Sequence, residues 1–132
     1  MRLTTKSEYA VRSILHLTFG KDVKAVQIRE ISDNEGISKA YIEQLFNKMR
    51  KYGLIKSQRG PSGGYVLAKA PEKITIGDIV RSVEGPISLT HCTDKEHVAC
   101  KRAGKCKSYP MWKKINRKVE EVLDSTSLGD LL

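Results

Sequence analysis

Two short amphipathic periods on either side of Gly36 constrain this chain more than any other feature. Ile28 and Ile31 lie one turn apart, which predicts a short helix over residues 27–34. Gly36 breaks the period, and Ser38 offers a side-chain oxygen to the free N–H groups of a following helix. Ile42, Leu45, Phe46 and Met49 recur at intervals of three and four, so one apolar stripe runs along residues 38–52. Gly53 stands where that helix needs a left-handed residue to stop. Two helices joined across such a turn are a helix-turn-helix. Residues 54–57 and 65–68 then read as strands, and Gln58, Arg59, Gly60, Pro61, Ser62, Gly63 and Gly64 between them form a turn-rich loop. A hairpin directly after a helix-turn-helix is a wing.

The flanking segments follow the same logic. Tyr9, Ala10, Ser13, Ile14 and Leu17 keep helical spacing over residues 5–19, and Gly20 closes the run. Thr75 and Asp78 stand in capping-box positions before Ile76, Ile79, Val80 and Val83, a short helix ended by Gly85 and Pro86. Residues 88–109 show no period, yet hold Cys92, Cys100 and Cys106 among Lys95, Lys101, Arg102, Lys105 and Lys107. A loop of roughly 20 residues without structure of its own is unusual in a small domain, so something should hold it. A last helix is expected over residues 110–123, with Pro110 in its first turn and an apolar line of Trp112, Ile115, Val119 and Val122. That stripe is separate from the first core, which suits dimerisation. Ser127 and Asp130 are placed to cap one further turn. The expected architecture is mainly α. A winged helix-turn-helix domain covers residues 1–85, a cysteine-bearing loop 86–109, and a long C-terminal dimerisation helix with its tail 110–132.

Charge points to a class of partner. Lys and Arg number 24 against 15 Asp and Glu, a net +9 that favours polyanions, nucleic acid first. No apolar run approaches the roughly 20 residues of a membrane span, and residues 1–13 lack the apolar stretch of a signal peptide. A cytoplasmic location and no membrane partner are therefore expected. No cysteine sits beside an evident general base, and neither a phosphate-cradling loop nor an acidic pair appears. The chain is not expected to be an enzyme or to take a small-molecule substrate.

A helix enters the major groove with its N-terminal residues against base edges. Here those positions are Ser38, Lys39, Ala40, Glu43 and Gln44, with Tyr41 beside them. Gln44 suits adenine, Glu43 suits the cytosine amino group, and Ser38 suits a base or a phosphate. Lys48, Arg50 and Lys51 fall nearer the backbone. Arg59 at the wing tip suits a narrow minor groove, and Gly60, Ser62, Gly63 and Gly64 permit close approach to sugar and phosphate. Arg2, Lys6 and Arg12 add positive charge near the N-terminus, for phosphates or for solvent.

The cysteines are spaced Cys92-x7-Cys100-x5-Cys106. Three thiolates hold a soft metal or an iron–sulfur core, and neighbouring cations favour the thiolate form. The spacing alone does not choose the metal. A fourth ligand is needed, and His91, His97 or a carboxylate brought in by the fold can serve. Zinc on three cysteines and a histidine, or three unliganded thiols, remain alternatives at this point.

The residues then match a known pattern. Met1-Arg-Leu-Thr4, Tyr9-Ala10, Gly36-Ile-Ser38 and Tyr41-Ile-Glu-Gln-Leu-Phe46 resemble the bacterial winged helix-turn-helix iron–sulfur transcriptional regulators. So do Arg59-Gly-Pro-Ser-Gly-Gly-Tyr65 and the three cysteines followed by Trp112. The resemblance covers nearly the whole chain. It implies a homodimer built on the helix carrying Trp112 and Ile115, bound to double-stranded DNA. It implies that Cys92, Cys100 and Cys106 hold a [2Fe-2S] or [4Fe-4S] cluster facing the partner subunit. The histidine that some members carry three positions after the last cysteine is replaced here by Tyr109. Other members carry a carboxylate in the first helix, and Glu8 stands there, so Glu8 ranks first as fourth ligand, from the other subunit, ahead of His91 and His97. The implied function is a regulator, expected to be a repressor, whose DNA affinity follows iron–sulfur status, redox state or nitric oxide. A related regulator of cysteine metabolism lacks these cysteines and acts through a partner enzyme. The alternative is therefore a winged-helix factor with structural zinc or no metal, controlled by a partner protein or by thiol oxidation.

Overall fold

Hydroxyl side chains start three of the α-helices among the described residues. Thr4 Oγ1 accepts the Lys6 N–H at 3.1 Å and opens α1 (Thr5–Ile14). Ser38 Oγ accepts the Tyr41 N–H at 3.2 Å and opens α3 (Lys39–Lys51). Between them lies α2 (Ile28–Glu35), which ends where Gly36 takes the left-handed conformation at φ 69°. Thr75 and Asp78 exchange backbone bonds in a complete capping box at the head of α4 (Ile76–Glu84). The wing strands are β1 (Ile55–Gln58) and β2 (Gly64–Leu67), and α5 (Tyr109–Ser125) is the longest helix. Short 3-10 turns lie at Pro71–Lys73, His91–Thr93 and Leu128–Leu131. This computed structural model describes residues 3–94, 102 and 104–132.

The first helix is shorter than its apolar spacing predicts. The His16 and Leu17 N–H groups bond three residues back, to Ser13 and Ile14, which tightens the last turn and releases the chain. Leu17 stays buried, and the Thr18 carbonyl accepts the Leu67 N–H at 2.9 Å, so this segment crosses to the wing. Val26 then exchanges both backbone bonds with Tyr65, at 3.0 and 2.9 Å, and braces the hairpin from its other side. The approach is close enough that a Cβ on Gly64 would stand 2.5 Å from the Val26 carbonyl oxygen. The hairpin is antiparallel, with Ile55 opposite Leu67 and Gln58 opposite Gly64. β1 starts one residue later and β2 one residue earlier than expected, while the Ala68 N–H still bonds the Leu54 carbonyl at 3.0 Å.

Ile14, Ile31, Ile42, Phe46, Met49 and Ile79 meet in one core, with Phe46 edge-on to Tyr65 at 5.0 Å. The C-terminus returns to it. Ile76 N–H bonds the Thr126 carbonyl at 2.8 Å, Leu128 N–H bonds Ile74 at 2.9 Å, and the Leu128 side chain is buried. Ser127 and Asp130 cap the final turn as expected. The fold is a mainly α winged helix-turn-helix with a long C-terminal helix.

That last helix runs from Tyr109 to Ser125 and packs on α4 and on the His91–Thr93 turn. Asn116 is its one buried residue. Met111, Ile115 and Val122 stay exposed and, with Val119, Leu123 and the stems of Lys114 and Lys118, line an open apolar groove. No helix among the described residues is long and apolar enough to cross a membrane.

Candidate nucleic-acid interface and cysteine site

Burying Ile42, Leu45, Phe46 and Met49 turns the opposite face of α3 outward. Lys39, Ala40, Glu43, Gln44 and Lys48 all lie exposed on it. Ser38 is exposed too, and its capping bond uses one lone pair, leaving the hydroxyl proton to donate. Tyr41 differs. It is half-buried, edge-on to Tyr9 at 5.8 Å, and the Arg12 guanidinium lies 5.2 Å from the Tyr9 ring centre. Its ring therefore packs the start of α3 against α1.

At the wing, Arg59, Gly60 and Ser62 are exposed, and the Gly63 N–H bonds the Gly60 carbonyl at 2.9 Å to close the loop. Lys56, Ser57 and Gln58 are exposed along β1. Lys56 was not singled out from the sequence, although it is the cation of an otherwise neutral strand of four residues. Arg12 is half-buried and engaged elsewhere. Its Nε meets Glu35 Oε1 at 2.9 Å and its Nη2 donates to the Glu35 carbonyl at 2.8 Å. His16 Nε2 lies 2.7 Å from the other carboxylate oxygen. The hydrogen bonds from His16 and then Arg12 hold the Glu35 carboxyl below the usual glutamate range, against a smaller opposing effect of burial. The positive charge expected at Arg12 is thus tied to the end of α2, Lys6 is exposed, and Arg2 lies outside the described residues.

Cys92 lies in the His91–Thr93 turn, half-buried, with its sulfur 3.0 Å from Thr90 Oγ1. Cys106 stands two residues before Ser108, the N-cap of α5, and its sulfur is 3.0 Å from the Ser108 hydroxyl. Hydrogen bonds from the Ser108 side chain and backbone lower the Cys106 thiol below its ordinary range; burial opposes them, and the Tyr109 N–H and the Arg102 charge assist. A helix N-terminus favours negative charge in the same place. Cys100 and His97 lie outside the described residues. Glu8 is exposed in the first turn of α1, which packs on α4, α3 and α2. Among the described residues of one chain, no three of His, Cys, Asp and Glu gather as a metal-binding set. Two accessible thiols, each with a hydroxyl at 3.0 Å and one biased to thiolate, are a donor chemistry that suits a soft metal centre beside α5.

A winged helix with a polar α3 face and a cationic wing is a DNA-reading arrangement. Residues 3–132 match the family model Rrf2, described as an iron-dependent transcriptional regulator. The chain belongs to the Rrf2 family. It is 37% identical to the HTH-type transcriptional regulator IscR of Aliivibrio salmonicida over 132 residues, all of this chain and 77% of that one. To IscR of Escherichia coli (strain K12 / DH10B) it is 36% identical, over all of this chain and 80% of that one. Among solved structures, the global cysteine regulator CymR of B. subtilis superposes with a TM-score of 0.78 at 37% identity, covering 99% of this chain and 95% of that one. IscR of T. potens superposes at 0.75 and 34%, covering 99% and 85%. This Rrf2-family chain is a DNA-binding transcriptional regulator, and it is not an enzyme.

Among the buried side chains that the sequence reading of this Rrf2-family protein missed, Asn116 bears on the cysteine site. Asn116 occupies the apolar line of α5, four residues after Trp112 and three before Val119. A lone amide at an inward helix position is the signal that finds it, because such a group must be bonded when buried.

Proposed function

We propose that this chain is a homodimeric repressor whose affinity for double-stranded DNA is set by an iron–sulfur cluster, [2Fe-2S] or [4Fe-4S]. Cys92, Cys100 and Cys106 are its thiolate ligands, and Glu8 of a second copy is the fourth, ahead of His91 and His97. The observation that carries this reading is that Cys106 stands just before α5 while the turn holding Cys92 packs on α5, the helix that also bears an uncovered apolar groove. The same helix then serves the dimer and the sensor.

In this reading, Gln44, Glu43, Lys39, Ala40 and Ser38 meet base edges and phosphate in the major groove. Arg59 enters the minor groove, with Gly60 and Ser62 against the backbone, while Lys48 neutralises phosphate and Tyr41 steadies the start of α3. Met111, Ile115 and Val122 bury against their copies and set the distance between two recognition helices. Half-sites roughly one DNA turn apart tolerate little error in that distance. When bound, the cluster supplies a group that reacts with oxidants and nitric oxide. When ligated, Cys92 and Cys106 would hold the His91–Thr93 turn against α5 in one order, and when free they would release it. A bias of a few kcal/mol between the two orders changes operator occupancy.

The test is anaerobic purification, absorption spectroscopy, iron and sulfide analysis, and DNA binding before and after cluster removal. Coloured protein with matched iron and sulfide, and a changed DNA affinity on removal, is expected. Protein that stays colourless after reconstitution yet binds DNA normally overturns the reading. The equally close likeness to CymR supports a second one: a winged-helix regulator with structural zinc or no metal, governed by a partner protein or by thiol oxidation. Zinc without sulfide selects it.

A further inference from the structure

We infer that Asn116 is a positioning residue that holds the Cys92 turn against α5 and so carries the state of that thiol to the helices behind the DNA reader. The inference rests on the reading of Cys92 as a ligand. Asparagine is a poor helix former, and a buried amide without partners is costly. Asn116 is only 5% exposed, yet its bonding capacity is filled. Its Oδ1 accepts the Leu89 N–H at 2.8 Å, and its Nδ2 donates to the Ile87 carbonyl at 3.2 Å and to Glu120 Oε1 at 2.8 Å. The Thr93 hydroxyl reaches Oδ1 at 3.3 Å. Three of these four partners lie beyond α5, in the segment of residues 87–93.

Bonds within that segment lead from Thr93 toward the thiol. Thr90 Oγ1 lies 3.3 Å from Thr93 Oγ1 and 3.0 Å from the Cys92 sulfur. From the thiol, therefore, the path runs through Thr90 and Thr93 to Asn116. It continues on the far side. Glu120, bonded to Asn116, has its second oxygen 3.5 Å from Arg81 Nη2. Arg81 grips Asp124 with two bonds, at 2.7 and 2.9 Å. Arg81 belongs to α4, and α4 packs on both α1 and α3. Directional bonds of this kind are made or lost over a few tenths of an ångström, unlike an apolar contact.

The test uses the full chain with Asn116→Asp, which keeps the acceptor for Leu89 and loses the donor to Ile87 and Glu120, and with Asn116→Leu, which loses both. Reduced, metal-free protein is pulsed with N-ethylmaleimide and each cysteine followed by mass spectrometry. Cys92 is expected to react at least fivefold faster in Asn116→Asp, with Cys106 within twofold of wild type. DNA affinity is then measured for cluster-loaded and metal-free protein. Their ratio is expected to shrink at least threefold while iron and sulfide content is retained. An unchanged Cys92 rate, or equal acceleration of Cys92 and Cys106, overturns the inference. So does a faster Cys92 with an unchanged affinity ratio, which is what a merely structural role predicts. If Asn116→Leu fails to fold, Asn116→Asp decides. If wild-type protein takes up no cluster, the proposed function falls, while the thiol rates still decide whether Asn116 positions Cys92.

Discussion

From α2 to β2, every buried side chain is apolar: Ile31, Ile37, Ile42, Leu45, Phe46, Met49, Leu54, Ile55, Val66 and Leu67. Along α5 the buried residue is an amide, the tie to α4 is the Arg81–Asp124 ion pair, and Met111, Ile115 and Val122 face outward. Apolar burial is non-directional and roughly additive in area, so the DNA-reading half tolerates small shifts without loss. Polar ties depend on angle and distance, so the bonds of Asn116 and Arg81 are lost with little motion. A regulator gains from this division. Under the proposed function, the surface that reads DNA would keep its shape, while the layer beside Cys92 and Cys106 would respond through bonds that are easily altered.

The largest expected effect tests the apolar half. Phe46→Ala removes the ring at the centre of the core and is expected to cost about 3–5 kcal/mol in denaturant unfolding. A loss below about 1 kcal/mol would show that the reader is not held by its core. Next, Val122→Asp places a charge on the uncovered face of α5. Association of two copies is expected to weaken by roughly two orders of magnitude in sedimentation experiments, with folding stability unchanged. An unaltered dimer would move the interface off α5.

Arg59→Ala leaves the core untouched. Affinity for operator DNA is expected to fall about tenfold, roughly 1.4 kcal/mol, with weaker preference for A·T-rich flanks and no change in Tm. Equal affinity for specific and scrambled duplexes before and after the change would remove Arg59 from the interface.

The smallest effect sits where α1 and the residues after it meet the end of α2. Hydrogen bonds from His16 and Arg12 lower the Glu35 carboxyl in the folded chain below its ordinary 4.5. A lowered carboxyl stabilises fully above the unfolded value and loses that contribution as pH falls through the folded one. The unfolding midpoint should therefore decline below about pH 4.5, and Glu35→Gln should flatten that decline. A parallel decline in both proteins would assign the acid sensitivity to other carboxylates.

Much of the reader was legible in the sequence because its signals are local. Ser38 caps, Gly36 turns and the 42–45–46–49 stripe buries, all within one stretch of chain. Thr75 with Asp78 and Ser127 with Asp130 announced their own caps for the same reason. The early end of α1 was not legible, since it follows from the Thr18 bond to Leu67 in the wing. Nor was the engagement of Arg12, because its partner Glu35 lies 23 residues away.

The order of elements, the outward polar face of α3, the exposed wing arginine and the three clustered thiols belong to the sequence by itself, because periodicity and capping act over a few residues. The return of Leu128 to the core, the filled bonds of Asn116 and the bracing of Tyr65 by Val26 were decided only in three dimensions. Those pairings join residues far apart in the chain, and only the packed fold sets the distances at which a hydrogen bond or a buried contact exists.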